Sequence, residues 1–283
     1  MPRIRPEDLV RVLQLAQEQT DAGRRIADAI ALIEGVMDDL GEEAISISFN
    51  GGKDCTVLLH LYAAVLLARH TKSLSSLLPT PAHLPISSPT TNGLSEPKPI
   101  LSSVTPSSPS GHITTPPSPP LPTIKAIYIT APDPFPLLDE FVLSSAELYG
   151  MDLYRFGGGM KAALGGYLGG EAGKGVKGML MGTRKGDPNG DVEPLAPTDP
   201  SWPSVLRIHP ILDWSYAHVW DFLRDLNVPY CSLYDEGYTS LGSTKNTVPN
   251  PLLRNPSAPS GWDPAWKLTD GSKERCGRLD SSS

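Results

Sequence analysis

The sequence predicts an α/β fold in which helices flank a parallel β-sheet. Short apolar segments without charge, typical of strands buried on both faces, alternate along the chain with longer segments of helical spacing. A glycine turn follows the first of these strands and leads directly into a helical segment. Alternating strands and helices form parallel sheets through right-handed crossovers, and ligands bind such sheets at the carboxyl ends of the strands.

The first part of the chain predicts helices and then a strand, a turn and a helix. Residues 6–40 have helical spacing, which we expect to form two segments broken near Gly23. Gly41 ends this region, because glycine is common directly after helices. Residues 44–49 then predict a buried strand, and residues 54–69 predict a further helix.

The same alternation resumes after residue 123. The predicted strands are residues 124–129, 151–156 and 178–182, and the predicted helices are residues 137–149, 161–168 and 215–226, the last of them capped by Ser215. In a parallel sheet the segments that follow the strands meet at one edge. We therefore expect residues 50–53, 130–133 and 183–187 to converge on a ligand.

Residues 71–123 differ in composition from the rest of the chain. They contain 13 of the 30 prolines, together with 12 serines, 8 threonines and only three charged residues. A segment of this kind buries too little apolar surface to offset the loss of chain entropy. We therefore expect a disordered insertion within the folded part.

Composition also excludes several classes of function. The net charge of −7 disfavours a nucleic-acid partner, because proteins that neutralise many backbone phosphates present a basic surface. No window of about eighteen apolar residues is present, and the chain does not start with the apolar run of a signal peptide. The three scattered cysteines show neither a disulfide framework nor a zinc spacing. We expect a monomeric cytoplasmic protein that binds no membrane.

The segment "SFNGGKDC", which follows the first predicted strand, is compatible with two structures. It is either a tight turn or a phosphate-binding loop. In a phosphate-binding loop, glycines let successive N–H groups point outward, and the start of the next helix contributes its positive dipole end. Lys53 favours the phosphate-binding loop, since a tight turn needs no cation. The segment lacks the spacing of a Walker A loop and of a Rossmann dinucleotide motif.

The same segment resembles the pyrophosphatase-type loop, Ser-x-x-Gly-Gly-x-Asp-Ser, of enzymes that split ATP between its α and β phosphates. Asn50 and Cys55 stand where the sulfonucleotide reductases and thiolation enzymes of this superfamily usually have serines. With these two residues the segment is similar to the eukaryotic FAD synthase family, whose members are also called FMN adenylyltransferases.

Further segments resemble that family over nearly all of the folded chain. They are "GTRKGDP" at residues 182–188, the continuous stretch of residues 197–242, "NTVPNPLL", and the closing "PAWKLTDGSKERCGR". The resemblance implies a Rossmann-like fold of the adenine nucleotide alpha hydrolase type, shared with phosphoadenosine phosphosulfate reductases, and a C-terminal flavin-binding subregion. It divides the chain into an N-terminal helical segment, residues 1–43, and a catalytic domain, residues 44–283, that contains the insertion.

The resemblance also implies the reaction and the nucleotide-binding residues. AMP would pass from ATP to FMN, giving FAD and pyrophosphate, with Mg²⁺ as cofactor. The loop and the second strand would bind the nucleotide through Ser48, Phe49, Asn50, Gly51, Gly52, Lys53, Ile127 and Ile129. Asp54 is either a helix-start carboxylate that favours the dipole, or the group that orients the loop or holds Mg²⁺. The family match favours the second role.

Later segments are expected to contact both substrates. The resemblance assigns Gly182, Arg184 and Asp187 to the substrates, and Asp199, Trp202 and Arg207 to the flavin-binding loop. Trp202 either packs on the flavin or belongs to the core.

The closing segment carries two arginines, Arg275 and Arg278. If this tail is helical, their spacing of three residues directs both guanidinium groups from one face, where they can bind phosphate. Otherwise they are ordinary solvated residues at the end of the chain. The expected catalytic residues are Asn50, Asp54, Asp187, Arg275 and Arg278.

Two other functions remain open from the sequence. A sulfonucleotide reductase is suggested by Cys276 in "ERCGR", which resembles the C-terminal Glu-Cys-Gly motif of those enzymes. The second is a non-catalytic protein that binds FMN or FAD and delivers it. Asn50 and the flavin-loop match favour FAD synthesis, and all the charged residues expected for catalysis are present.

Overall fold

One seven-stranded sheet organises the computed structural model, which describes residues 3–86, 111–114 and 121–279. The strands are β1 (Ile45–Ser48), β2 (Gly111–Thr114), β3 (Ile124–Ile129), β4 (Met151–Phe156), β5 (Gly178–Leu180), β6 (Leu195–Pro197) and β7 (Leu206–Ile208). Their order across the sheet is β2-β4-β3-β1-β5-β7-β6. The five inner strands run parallel, and β2 and β6 pair antiparallel at the edges. The predicted α/β fold with a parallel sheet is confirmed.

Six α-helices in the described part of the chain cover the sheet. They are α1 (Pro6–Leu15), α2 (Asp21–Leu40), α3 (Lys53–Arg69), α4 (Pro136–Tyr149), α5 (Met160–Gly169) and α6 (Tyr216–Asp225). Helix α3 packs against α1, α2 and α6 and buries nearly all its side chains. A helix that is apolar on every side is stable only inside a protein. This explains why the 54–69 region carries almost no charge.

The two faces of the sheet bury separate hydrophobic clusters. Along β3, Ile124, Ala126 and Tyr128 belong to the larger cluster, which also holds residues of α1, α2, α3, α4 and α6. Ile127 belongs to the smaller cluster, which holds residues of α5. Alternate side chains of a strand point to opposite faces, so the sheet is covered on both sides.

The break between the first two helices lies at residues 16–20, not near Gly23 as predicted. Gly23 is inside the first turn of α2, and its N–H donates to the capping side chain of Thr20. A Cβ atom on Gly23 would lie 2.3 Å from the Glu18 carbonyl oxygen. Glycine therefore permits a close approach to the preceding loop and does not interrupt the helix.

Three short strands are absent from the sequence prediction, namely β2, β6 and β7. Each spans only three or four residues, which is too short to show a period of two. The predicted strand 178–182 ends earlier, at Leu180, because the chain turns closely past the start of α3. A Cβ atom on Gly182 would lie 2.7 Å from the Cys55 nitrogen.

The first part of the predicted disordered insertion is packed. Leu74, Leu77 and Leu78 lie against the larger cluster. The Ala82 N–H donates to the Ala31 carbonyl of α2 at 2.9 Å. The prediction of disorder is therefore wrong for residues 71–86, because spaced leucines within this Ser/Pro-rich segment pack against the larger cluster and Ala82 bonds α2. Strand β2 and residues 121–123 are also described, whereas residues 87–110 and 115–120 lie outside the described residues.

The N-terminal helices belong to the same core as the rest of the chain. Leu9, Val12 and Ile30 are buried in the larger cluster together with residues of α3. The division at residue 43 thus separates two chain segments that share one core. None of the described helices has the length and apolar character needed to cross a membrane.

Replacing Gly35 by alanine should destabilise the protein, although alanine in a helix is usually better than glycine by up to about 1 kcal/mol. A Cβ atom at position 35 would lie 2.1 Å from the Ala82 carbonyl oxygen, so the segment around residue 82 would have to leave α2. We expect Gly35→Ala to lower the free energy of unfolding by about 1–3 kcal/mol in urea titrations. Gly169→Ala in α5 is the control, because a Cβ atom there meets nothing within 4 Å. Equal stability of the two variants would show that residues 71–86 do not pack on α2.

Candidate active site

A cavity of about 340 Å³ opens at the carboxyl ends of β1, β3 and β5. The segments that follow these strands line it through Asn50, Lys53, Ala131, Thr183 and Asp187. The predicted convergence of three loops is therefore confirmed. Residues 240–242 and 274–275 line the cavity as well, so the C-terminal part of the chain completes it.

The loop after β1 is held by its own side chains. The Asn50 Oδ1 atom accepts the Gly52 N–H at 2.9 Å, and the Cys55 thiol donates to the same oxygen at 2.9 Å. Burial raises the pKa of the Cys55 thiol to about 12, so the thiol keeps the proton that it donates. Asn50 and Cys55, the two loop residues on which the predicted family depends, thus contact each other.

Gly51 lets this loop pass close to α4. Its φ is +72°, and a Cβ atom there would lie 2.8 Å from the side chains of Leu138 and Val142. A left-handed backbone in so narrow a space requires glycine. Gly51 therefore shapes the loop, and it does not line the cavity among the described residues.

The first turn of α3 provides N–H groups beside the cavity. The Lys53 N–H donates to the hydroxyl of the buried Tyr234 at 2.9 Å. For the N–H groups of Asp54 and Cys55 no acceptor occurs in the described ranges. Unpaired N–H groups at the start of a helix carry partial positive charge and attract anions. The loop is thus fixed by Tyr234 and has two donors left.

Five charged residues from three distant segments meet next to this loop, and we call them the charge cluster: Lys53, Asp54, Arg184, Asp187 and Glu274. Lys53 Nζ lies 3.0 Å from Asp54 Oδ2 and also pairs with Glu274 Oε1. Arg184 Nη2 lies 3.2 Å from Asp187 Oδ1 and 2.5 Å from Glu274 Oε2. Arg184 Nε lies 2.7 Å from Asp54 Oδ1, an ion pair without hydrogen-bond alignment. The Lys53 and Arg184 side chains are only 2% and 5% exposed.

Burial and ion pairing shift the pKa values within the charge cluster. Burial alone lowers the pKa of the Arg184 guanidinium, but the charges of Asp54, Glu274 and Asp187 outweigh burial and raise that pKa. Burial raises the pKa of the Asp187 carboxyl, while Arg184 acts in the opposite direction. Arg184 therefore stays protonated and positively charged.

The C-terminal segment carries its two arginines to different places. Arg275 is exposed and lines the cavity. Arg278 donates to the Leu241 carbonyl at 2.9 Å and packs on Gly242, where a Cβ atom would lie 2.3 Å from the guanidinium. The segment contains a 3₁₀ turn, Gly271–Lys273, and is not α-helical, so the two guanidinium groups share no helical face. A contact of Arg278 with phosphate stays a prediction.

The predicted flavin-binding residue Trp202 lies beside a second, open groove. It lines this groove with Gly158, Gly159 and Met160. It is partly buried against the smaller cluster, so one part of the indole packs on the core and another faces the groove. Met160 lines both the groove and the cavity, and the two therefore adjoin.

The other two residues of the predicted flavin loop make local contacts. Asp199 is exposed, and its backbone carbonyl accepts the backbone N–H of Trp202 at 2.8 Å. Arg207 donates to the carbonyls of Ala196 and Pro197 at 3.3 and 3.2 Å, which ties β7 to β6. Their contacts with a flavin stay predictions.

The remaining predicted nucleotide-binding residues divide into two groups. Ser48, Gly52, Asp54, Ile129 and Gly182 line the cavity. The side chains of Phe49 and Ile127 are fully buried in the two hydrophobic clusters, so they cannot contact a ligand. The Phe49 N–H donates to the Ile127 carbonyl at 2.9 Å, so these two backbone groups are also occupied.

Tyr234 and Glu274 contact the loop and the charge cluster, and the sequence analysis does not identify them as site residues. Both lie inside segments that resemble the family, Tyr234 within residues 197–242 and Glu274 in "ERCGR". A tyrosine that binds a distant backbone N–H has no local sequence signal. The carboxylate of Glu274 is also unexpected in a site that is predicted to bind phosphate, because both groups are negatively charged.

Comparison with known proteins shows that the chain resembles others in both sequence and fold. The family model of the phosphoadenosine phosphosulfate reductase domain matches residues 171–249. The chain is 32% identical to a probable FAD synthase of Schizosaccharomyces pombe over 90% of this chain and 78% of that protein. It is 33% identical to a probable FAD synthase of Caenorhabditis elegans over 93% of this chain, and it spans 42% of the length of that protein.

Solved structures share the fold. A Candida glabrata FMN adenylyltransferase superimposes with a TM-score of 0.71 at 23% identity, covering 98% of this chain and 97% of that chain. A yeast FAD synthetase in complex with FAD superimposes with a TM-score of 0.67 at 25% identity, covering 97% and 98%. The similarity therefore extends over the sheet, the flanking helices and the C-terminal segment.

Replacing Tyr234 by phenylalanine should loosen the loop by removing the acceptor of the Lys53 N–H. A buried N–H without a partner is costly, so we expect the free energy of unfolding to fall by about 1–3 kcal/mol in urea titrations. Tyr230→Phe is the matched control, because the Tyr230 hydroxyl bonds the exposed Asp235. An equal loss in the two variants would contradict the role given to Tyr234.

Proposed function

This chain belongs to the FAD synthase family, and we propose that it transfers the AMP group of ATP to the phosphate of FMN, giving FAD and pyrophosphate. The observation that carries the proposal is the meeting of three elements around one cavity. These are the loop of residues 48–55, the charge cluster, and Arg275 from the C-terminal segment. Lys53 lines the cavity, whereas the buried Arg184 is not among its described lining residues and contacts three that are, Asp54, Asp187 and Glu274.

Charge repulsion is the main obstacle to this reaction. FMN carries about two and ATP about four negative charges near neutral pH. At about 4 Å and an effective dielectric constant of about 20, each pair of unit charges repels by about 4 kcal/mol. Lys53, Arg275 and the unpaired N–H groups of α3 are positive groups at the cavity that can oppose this repulsion. Three carboxylates, Asp54, Asp187 and Glu274, already pair with Lys53 and Arg184.

The proposed step is an in-line attack of an FMN phosphate oxygen on the α phosphorus of ATP. A new P–O bond forms to that phosphorus, and its bond to the bridging oxygen of the β phosphate breaks. The attacking oxygen is already ionised, so the reaction needs no general base. The chain's own groups hold the departing pyrophosphate at the loop and orient the two phosphates, which is the main source of catalysis for such reactions.

Mg²⁺ enters this proposal as part of the Mg–ATP substrate. Among the described residues no group of three or more His, Cys, Asp or Glu side chains could hold a metal ion. Both Asp54 oxygens lie against cations, Lys53 and Arg184. This position does not fit a preformed protein metal site, and Mg²⁺ bound to phosphates needs few protein ligands. Asp54 as a direct Mg²⁺ ligand stays a prediction.

We propose that the flavin ring of FMN lies toward the groove at Trp202. The groove and the cavity adjoin at Met160, so one elongated ligand can extend from the indole of Trp202 to Arg275. This continuity supports the proposed position of the flavin. An aromatic side chain with one exposed face is suited to stacking on an aromatic ring.

The alternative of a sulfonucleotide reductase has less support. Cys276 is exposed and is not among the described residues that line the cavity. An adenosine 5′-phosphosulfate reductase of Bacillus subtilis is 36% identical over only 17% of this chain.

A cytoplasmic monomer is our proposal for location and assembly. The three cysteines, all within the described ranges, are free thiols, which supports a reducing compartment. Light scattering coupled to size-exclusion chromatography tests the monomer, and a stable dimer would contradict it.

Purified protein mixed with FMN, ATP and Mg²⁺ should form FAD and pyrophosphate in equal amounts, as measured by chromatography and a pyrophosphate assay. Absence of FAD would contradict the proposed activity. Binding of FAD without turnover would favour the delivery protein instead.

Arg275→Ala should lower kcat/KM for FAD formation by about 100-fold, because it removes a cation from the reacting phosphates. Cys276→Ser at the next position is the matched control, and it should leave the rate unchanged, since Cys276 does not line the cavity. A reductase would show the reverse pattern, with Cys276→Ser abolishing turnover.

A further inference from the structure

Glu274 makes the contacts with Lys53 and Arg184 that a phosphate group would make. One carboxylate oxygen pairs with Lys53 and the other with Arg184. A phosphate group binds such a pair of cations in the same way, with one oxygen on the ammonium group and another on the guanidinium group. Asp54 and Asp187 lie beside the same cations, so the charge cluster has three carboxylates and two cations.

The backbone at Glu274 is anchored independently of these ion pairs. The Glu274 carbonyl accepts a hydrogen bond from the Thr239 hydroxyl, and the Lys273 carbonyl accepts one from the Asn250 amide at 2.9 Å. Thr239 and Asn250 are buried and bond each other. The Glu274 side chain itself lines the cavity. Rotation of this side chain can thus remove the carboxylate from the cations while the backbone stays bound.

We propose that Glu274 competes with the phosphates of the nucleotide for Lys53 and Arg184, and that its carboxylate leaves these cations when the phosphates bind. This inference rests on the proposed function, because it assigns Lys53 and Arg184 to phosphate. A phosphate on these cations would lie within a few ångströms of a carboxylate on the same cations, where like charges repel strongly. Glu274 therefore satisfies two buried cations that would otherwise lack one partner, and it lowers the affinity for pyrophosphate.

A competitor and a fixed positioning residue predict opposite results. If Glu274 only held Lys53 and Arg184 in place for the ligand, its removal would weaken both the fold and ligand binding. If Glu274 competes, its removal weakens the fold without ligand but strengthens ligand binding. Measuring both quantities in one variant separates the two roles.

The test uses Glu274→Gln, with inorganic pyrophosphate as the probe and no FMN present. Titration calorimetry in Mg²⁺ buffer measures the Kd, and thermal unfolding without pyrophosphate measures stability. Glu171→Gln is the matched control, because it removes the same charge from a side chain that is 88% exposed. We expect Glu274→Gln to bind pyrophosphate about tenfold more tightly than the unchanged protein. Its Tm without pyrophosphate should be lower, and the control should change neither quantity.

Weaker or unchanged pyrophosphate binding by Glu274→Gln would overturn the proposal, as would an absence of binding by the unchanged protein. If the variant does not fold alone, added pyrophosphate should restore folding, because it supplies the missing anion. Failure of that rescue also counts against competition. Since no FAD is formed in this test, a failure of the proposed activity would appear only in the FAD assay.

Discussion

The charge cluster contains two buried cations, Lys53 and Arg184, and their carboxylate partners come from distant parts of the chain. Lys53 stands at the start of α3, Arg184 follows β5, and the carboxylate of Glu274 comes from a segment 221 residues after Lys53. A buried charge is tolerated only with partners, so each of these segments depends on the others for its place. The same arrangement places two buried cations and three carboxylates next to the cavity.

The position of the site follows from the sheet. Parallel strands end at one edge, so the loops after β1, β3 and β5 meet there without any specific contact being required. Helix α3 is buried along its whole length, which gives its first turn a fixed place beside the cavity. The site is therefore built at the start of a buried helix, and residues of the C-terminal segment complete its lining.

The loop after β1 is held in shape by contacts between its own residues. Asn50 and Cys55 bond each other, and the amide oxygen of Asn50 also holds the Gly52 N–H. The identity of these two residues therefore shapes the loop, and Tyr234 anchors it from a segment 181 residues away. The shape of the loop thus depends on residues around it as well as on residues that line the cavity.

The sequence alone determined the parallel α/β fold, the loop at residues 48–55 and the convergence of three loops, because buried strands, buried helices and glycine turns have local periodicities. It did not determine the packing of residues 71–86, whose composition is typical of disorder but whose leucines pack against the larger cluster. Nor did it place Tyr234, Glu274 or the separate positions of Arg275 and Arg278. These depend on contacts between residues far apart in the chain, which only the tertiary structure decides because no local pattern records them.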